Sequence, residues 1–191
     1  EVMVKALNSN DRDFDIKAAG TAMRFLTAFL SKVVGEWTIT GTQRMKNRPI
    51  KILVDALNSL GARVEYMEKE GYPPLRIFGS ALQGGEISLA GGVSSQYISA
   101  LLMIAPLMEK GLTLHLEGAI ISKPYINLTL QLMEQYGVKV DWSGQTIKVR
   151  PQDYHPIPFT VESDSSAASY WYSMMALSKN AEIELLGLFK N

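Results

Sequence analysis

NRPIKILVDALNSLG (residues 47–61) and SKPYINLTLQLMEQYG (residues 122–137) decide the fold, because they carry one pattern twice, about 75 residues apart. Asn47-Arg48-Pro49-Ile50 opens a helical periodicity with Ile50, Leu53, Val54, Leu57 and Leu60 on one face, closed by Gly61. Ser122-Lys123-Pro124-Tyr125 opens another, with Ile126, Leu130 and Met133 in a stripe, closed by Gly137. Each start combines a residue able to cap a helix, a cation, and a proline in the first turn, where its missing N–H leaves no bond unmade. Each end has the glycine that a left-handed helix terminus favours.

The correspondence extends outward. A short alternating strand precedes each helix, Trp37 to Thr40 in one copy and Leu112 to Leu116 in the other. Before each strand lies another helix, starting at Gly20-Thr21-Ala22-Met23-Arg24 and at Ser94-Ser95-Gln96-Tyr97. Two strands follow each closing glycine: Arg63 to Met67 with Leu75 to Phe78, then Lys139 to Trp142 with Thr146 to Val149. Glu86 to Leu89 and Phe159 to Glu162 supply the strand leading into the next unit. A third copy begins at Ser163-Asp164-Ser165-Ser166, runs through a helix to Leu177, and reaches a strand at Ile183 to Leu186.

The predicted fold is mixed α/β (α+β), built from repeated βαβαββ units at about 15–80 and 85–150, with a truncated unit at 158–191. The stretches Met23 to Leu30 and Ile98 to Leu107 are apolar on more than one face, so helices are expected centrally and sheets outside. Residues 1–191 read as a single incomplete domain of a longer protein, since the chain starts at Glu1 and the third unit stops midway.

Composition narrows the function. Net charge is zero, which gives no sign of nucleic acid or an anionic membrane as partner. There is no cysteine, which excludes thiol catalysis and disulfides and fits a cytoplasmic location. The longest apolar stretch, Ile98 to Met108, is too short to span a bilayer. His115 in a strand and His155 in a proline-rich loop make no metal cluster.

What the core does not explain gathers at helix starts. Gly91-Gly92-Val93-Ser94-Ser95-Gln96 sets flexible backbone, two hydroxyls and an amide before a helix, which suits either a doubly capped terminus or a bound phosphate. Ser122, Lys123 and Tyr125 occupy the corresponding end of the next helix, and Gly20 that of the first. Arg44-Met45-Lys46-Asn47-Arg48 packs three cations into five residues. This is either a solvated loop or a source of the planar fork that matches carboxylate and phosphate oxygens.

In order and spacing, Ala19 to Arg24, Arg44 to Pro49, Tyr72-Pro73-Pro74-Leu75-Arg76, Val93 to Gln96, Ser122 to Tyr125 and Ser163 to Tyr170 resemble the motifs of 5-enolpyruvylshikimate-3-phosphate synthases. The resemblance runs from about Phe14 to the end. It implies one incomplete domain of a two-domain enolpyruvyl transferase fold. It also implies transfer of the enolpyruvyl group of phosphoenolpyruvate to the 5-hydroxyl of shikimate 3-phosphate, releasing phosphate, by a monomer needing no metal or organic cofactor.

By the same resemblance, Ser94, Ser95 and Ser122 hold the phosphate of shikimate 3-phosphate, Tyr125 lies against its ring, and Gln96 bonds both substrates. Arg44 and the amide of Gly20 meet phosphoenolpyruvate, and Arg24 braces the loop beside it. Ala18 and Phe25 depart from the asparagine and proline common there. The family's acid–base residues belong to segments outside residues 1–191, so this chain alone is expected not to turn over. The rival readings are the enolpyruvyl transferase acting on UDP-N-acetylglucosamine and a non-catalytic phosphometabolite-binding module on the same repeat.

Overall fold

The computed structural model describes residues 2–161 and 163–188. It falls into two compact units, one ending at His155 and one starting at Pro156.

The first unit opens with a short helix, α1 (Val2–Leu7), which was not predicted from its residues. Then the same topology occurs twice. In the first copy, β1 (Asp13–Asp15) leads to α2 (Gly20–Lys32) and β2 (Gly35–Thr40), then through a short α3 (Gln43–Lys46) to α4 (Lys51–Ser59). The hairpin β3 (Arg63–Tyr66) and β4 (Leu75–Gly79) closes it. In the second copy, β5 (Gly85–Ala90), α5 (Ser95–Ile104), β6 (Leu112–Glu117), α6 (Lys123–Gln135), β7 (Val140–Ser143) and β8 (Thr146–Val149) follow in turn.

The sheets are ordered β1-β2-β4-β3 and β5-β6-β8-β7. In each, the leading strand pairs parallel with the second (Phe14 with Ile39, Ile87 with Leu114). The hairpin then pairs antiparallel with that second strand, Trp37 with Ile77 and Leu114 with Ile147. The βαβαββ repeat is therefore present in both strand order and register.

Helices α2 and α5 form the centre, packing on each other, and α5 packs in turn on α6. Met23, Leu26, Ala28 and Leu30 of α2 are buried, as are Ile98, Ala100, Leu101 and Leu102 of α5. Each of the methionine, leucine and isoleucine side chains among them contributes about 1.5–3 kcal/mol when fully buried. The two buried hydroxyl residues of α2 satisfy themselves locally: the Thr27 hydroxyl donates to Met23 O (2.7 Å) and the Ser31 hydroxyl to Thr27 O (2.8 Å).

The two helices that identified the repeat end alike. At α4 the N–H of Gly61 (φ +98°) bonds Asn58 O and that of Ala62 bonds Leu57 O. At α6 the N–H of Gly137 (φ +87°) bonds Glu134 O and that of Val138 bonds Met133 O. These paired bonds satisfy carbonyls that a helix end leaves unpaired, and they need a residue at ease with positive φ.

Their starts are less alike than the sequence suggested. α4 begins at Lys51 with Ile50 at its N-cap, and no side chain caps it. Asn47 instead ends α3, because the cation-rich segment makes its own helical turn, capped by the Thr42 hydroxyl accepting from Met45 N–H (3.4 Å). Pro49 follows as a stop to that turn rather than as the first turn of α4. Ser122 does sit at the N-cap of α6, but its hydroxyl makes no capping hydrogen bond.

The second unit contains α7 (Ser165–Leu177), capped by Asp164 Oδ1 accepting from Ser166 N–H (2.8 Å) and Ala167 N–H (3.3 Å). The strands expected at Phe159 to Glu162 and Ile183 to Leu186 do not form, and Glu162 itself lies outside the described residues. In the other copies the second strand is held on both sides, by the leading strand and by the hairpin. Residues 183–186 have no hairpin after them within 191 residues, and a lone strand pair is marginal. What remains is a bond from Ser163 N–H to Gly187 O (2.8 Å) and one from the Ser163 hydroxyl to Leu186 O (3.1 Å).

Candidate functional site

At the start of α2, Ala19 occupies the N-cap and offers no side-chain acceptor to the first turn. The first amides of this helix and the positive end of its dipole are thus left for a ligand. Gly20 lets another group come very close. A Cβ built there would lie 2.2 Å from Nη1 of Arg48 and 2.8 Å from its Cζ, so the guanidinium rests on the glycine.

Arg24, four residues along the same helix, is only 4% exposed. Its Nη1 donates to Gly20 O (3.0 Å) and its Nη2 to Pro49 O (3.1 Å). The Tyr97 hydroxyl donates to the same Pro49 carbonyl (2.7 Å), and the Arg24 guanidinium lies 5.8 Å from the Tyr97 ring centre. α2, α5 and the loop carrying Arg44 and Arg48 are therefore tied at one point, and Arg24 is used up by protein carbonyls. Arg44 stands exposed on α3, next to buried Met45, whose sulfur lies 3.9 Å from Arg24 Nη1. Lys46 is committed to Glu68 at 2.6 Å.

The start of α5 is capped by Ser94, whose hydroxyl accepts from Gln96 N–H (3.4 Å). Gln96 then reaches across to the other repeat, where its Nε2 donates to the Thr21 hydroxyl (3.1 Å). Gly91 brings the start of α6 alongside. Its N–H bonds Glu117 O (2.6 Å), its carbonyl accepts from Ile121 N–H (3.4 Å), and a Cβ there would press on Ala119 O at 2.9 Å. The loop bearing Ser94 and Ser95 is thus laced to the loop bearing Ser122.

Further along, the Ser99 and Thr129 hydroxyls are 2.7 Å apart, fixing α6 against α5. The Ser122 hydroxyl has no hydrogen-bond partner among the described residues, and Tyr125 is 66% exposed. The Lys123 ammonium turns toward the Trp142 ring, 5.1 Å from its centre, rather than toward Ser122.

The structure thus joins Arg24 to Gly20 and Gln96 to the neighbouring Thr21 through direct bonds, and joins the Ser94 and Ser122 loops through Gly91. Arg48, Thr21 and Tyr97 were missed as site residues. Arg48 stood in the quoted motif, but only the fold places it on Gly20. Among the described residues no group of three or more His, Cys, Asp or Glu side chains is placed to hold a metal ion. His115 sits between Glu86 (2.7 Å) and Thr146 (3.0 Å) on the second sheet. No helix among the described residues is long and apolar enough to cross a membrane.

The model of one family, described as EPSP synthase (3-phosphoshikimate 1-carboxyvinyltransferase), matches residues 2–191. A 3-phosphoshikimate 1-carboxyvinyltransferase of Bacteroides fragilis is 62% identical over 192 residues, covering all of this chain and 47% of that protein. One from Vibrio cholerae is 46% identical over 176 residues, covering 91% of this chain and 41% of its own length. The chain therefore spans about half the length of the curated relatives it matches. Among solved structures, an EPSP synthase from Acinetobacter baumannii superposes with a TM-score of 0.72 at 22% identity, over 85% of this chain and 36% of that one, which speaks for the fold.

Proposed function

The chain belongs to the EPSP synthase family, and on that premise we propose that the protein it contributes to transfers the enolpyruvyl group of phosphoenolpyruvate to the 5-hydroxyl of shikimate 3-phosphate. Phosphate leaves as the other product. The observation that carries this reading is the hydrogen bond from Gln96 to Thr21, which joins the starts of α2 and α5. A residue at that junction can bond one anionic substrate held by α5 and α6 and a second held by α2.

In this reading Ser94, Ser95 and Ser122 bind the phosphate of shikimate 3-phosphate through hydroxyls and first-turn amides. The Ser122 hydroxyl, which makes no capping bond, suits that role, and Ser94, whose hydroxyl oxygen accepts from Gln96 N–H, keeps its O–H to donate. Tyr125 presents an exposed ring for the carbocycle. Gln96 bonds both substrates. Arg44 and the Gly20 amide take phosphoenolpyruvate, and Arg24 supports them by fixing the loop. The protein acts as a cytoplasmic monomer with these two small molecules as its partners, independent of nucleic acid and membrane.

The test is phosphate release by the full-length protein from phosphoenolpyruvate, with shikimate 3-phosphate or UDP-N-acetylglucosamine as acceptor. Release with the first acceptor alone is expected, and release only with the second would overturn the reading. Residues 1–191 on their own are expected to release none, because general acid–base catalysis needs groups within hydrogen-bond reach of the reacting atoms.

A further inference from the structure

We propose that Tyr97 is a positioning residue for phosphoenolpyruvate: its hydroxyl fixes the loop that aims Arg44, although its own helix carries the shikimate 3-phosphate residues. The inference rests on the function proposed above and adds a residue to it.

Arg44 sits on α3, whose four residues make a single turn. So short a helix does not hold itself in water, and its direction comes from what its ends are tied to. On one side Thr42 N–H bonds Lys17 O (3.1 Å). On the other, Asn47 N–H bonds Arg44 O (3.3 Å) and Arg48 N–H bonds Met45 O (2.9 Å). These bonds tie α3 to the peptide that follows them, Pro49–Ile50.

That peptide is held at both its polar atoms. Ile50 N–H bonds Gly71 O (2.9 Å), and Pro49 O accepts from Arg24 Nη2 (3.1 Å) and from the Tyr97 hydroxyl (2.7 Å). The two donors take up both lone pairs of the oxygen, and they come from different helices, Arg24 from α2 and Tyr97 from α5. With one donor the carbonyl can still swing about the remaining bond. With both it is fixed relative to both helices. Arg24 is 4% exposed and Tyr97 7%, so water has little access to replace either donor.

Gln96 and Tyr97 are consecutive on α5 and so project about 100° apart around it. Gln96 reaches Thr21 at the start of α2, and Tyr97 reaches Pro49. The start of α5 thereby grips both elements assigned to phosphoenolpyruvate, the helix with the Gly20 amide and the loop leading from Arg44. The Tyr97 hydroxyl is directed at a protein carbonyl, so it acts through Arg44 and not by touching substrate. Tyr97→Phe leaves Pro49 O its bond from Arg24, so no buried carbonyl is orphaned and the fold stands. What is lost is the second constraint on the loop.

The experiment measures steady-state kinetics and calorimetric affinities of the full-length protein as wild type, Tyr97→Phe, Arg44→Gln, the Tyr97→Phe/Arg44→Gln double variant and a control, Tyr154→Phe. Tyr97→Phe should raise KM for phosphoenolpyruvate about threefold to tenfold, the effect of one neutral hydrogen bond. Affinity for shikimate 3-phosphate should stay within about twofold, since the loss is confined to the other subsite. In the Arg44→Gln background the same substitution should add less than about twofold, because two residues serving one contact are not additive. The Tyr154 hydroxyl makes a comparable bond to Met103 O (2.8 Å) at the far end of α5, so Tyr154→Phe should leave KM for phosphoenolpyruvate within about twofold of normal.

Four results with an active wild type would overturn the inference alone. They are a Tyr97→Phe KM within about twofold of normal, an equal weakening of shikimate 3-phosphate, the same rise in Tyr154→Phe, or losses from Tyr97→Phe and Arg44→Gln that multiply. A wild type without enolpyruvyl transfer would overturn the underlying reading and the inference with it.

Discussion

Gln96 and Thr21, 75 residues apart, each occupy the second position of a helix, and the amide of the first donates to the hydroxyl of the second at 3.1 Å. The bond therefore links equivalent points of the two repeats. It sets the uncapped start of α2 beside the Ser94-capped start of α5, so an anion at the junction experiences both positive helix ends. A repeat that only built a core would not need polar side chains to meet there.

Gln96→Ala is expected to lower kcat/KM about tenfold to a hundredfold, because a hydrogen bond from an amide to a charged ligand is worth about 1.5–3 kcal/mol. Thr21→Val, which leaves Gln96 in place but unanchored, should cost less. Steady-state kinetics on both variants checks the order, and equal losses would mean that Thr21 does more than hold the amide.

Arg24→Ala should cost about 2–4 kcal/mol in stability, from a cavity and from the Gly20 carbonyl left without its side-chain partner. Pro49 O would still be served by Tyr97. Urea denaturation gives the value, and a loss below about 1 kcal/mol would show that Arg24 does not hold this loop.

Two glycines with positive φ should respond differently to alanine. Gly137 has φ +87° and a Cβ there would lie 2.4 Å from His155 Cδ2, while Gly144 has φ +57° and open space around it. Gly144→Ala carries only backbone strain, about 1 kcal/mol, whereas Gly137→Ala adds a clash and loss of a helix-end motif. Thermal unfolding of both should place Gly137→Ala clearly lower.

Burial pushes the Tyr154 hydroxyl up to about 12, and burial foremost, with the nearby charge of Asp55, pushes that of Tyr66 to about 12 as well. Both are neutral in the folded state at pH values where the unfolded side chain, near 10, has begun to ionise. Their contribution is fully present below pH about 10 and is lost as pH rises from there through about 12. Tyr154→Phe and Tyr66→Phe should each flatten the alkaline fall of the urea midpoint. At neutral pH they should differ. Tyr154 donates to Met103 O (2.8 Å) and its loss costs about 1 kcal/mol. Tyr66 has a buried hydroxyl with no hydrogen-bond partner among the described residues, so phenylalanine there is neutral or stabilising.

Features governed by local periodicity were readable from residues alone. Gly61 and Gly137 marked two helix ends because only a residue tolerant of positive φ closes them this way, and the alternation of Leu112, Leu114 and Leu116 fixed the inward face of β6. Asn47 misled because its capping chemistry serves the end of α3 as readily as the start of α4. The strand at Ile183 to Leu186 was over-read, since a strand depends on partners that its own residues do not specify. At the site, Ser94, Gln96 and Ser122 stood out as polar groups at helix starts. The seating of Arg48 on Gly20 was not legible, because it results from tertiary approach between two loops, as does the reach of Gln96 to Thr21.

The most direct test is calorimetric titration of the full-length protein with shikimate 3-phosphate, in wild type and in a Ser94→Ala/Ser122→Ala variant, with UDP-N-acetylglucosamine as control ligand. The account predicts binding of shikimate 3-phosphate alone, weakened at least about tenfold in the variant, as loss of bonds to a charged phosphate requires. Binding of the nucleotide sugar instead, or a shikimate 3-phosphate affinity unchanged by the double substitution, would contradict it.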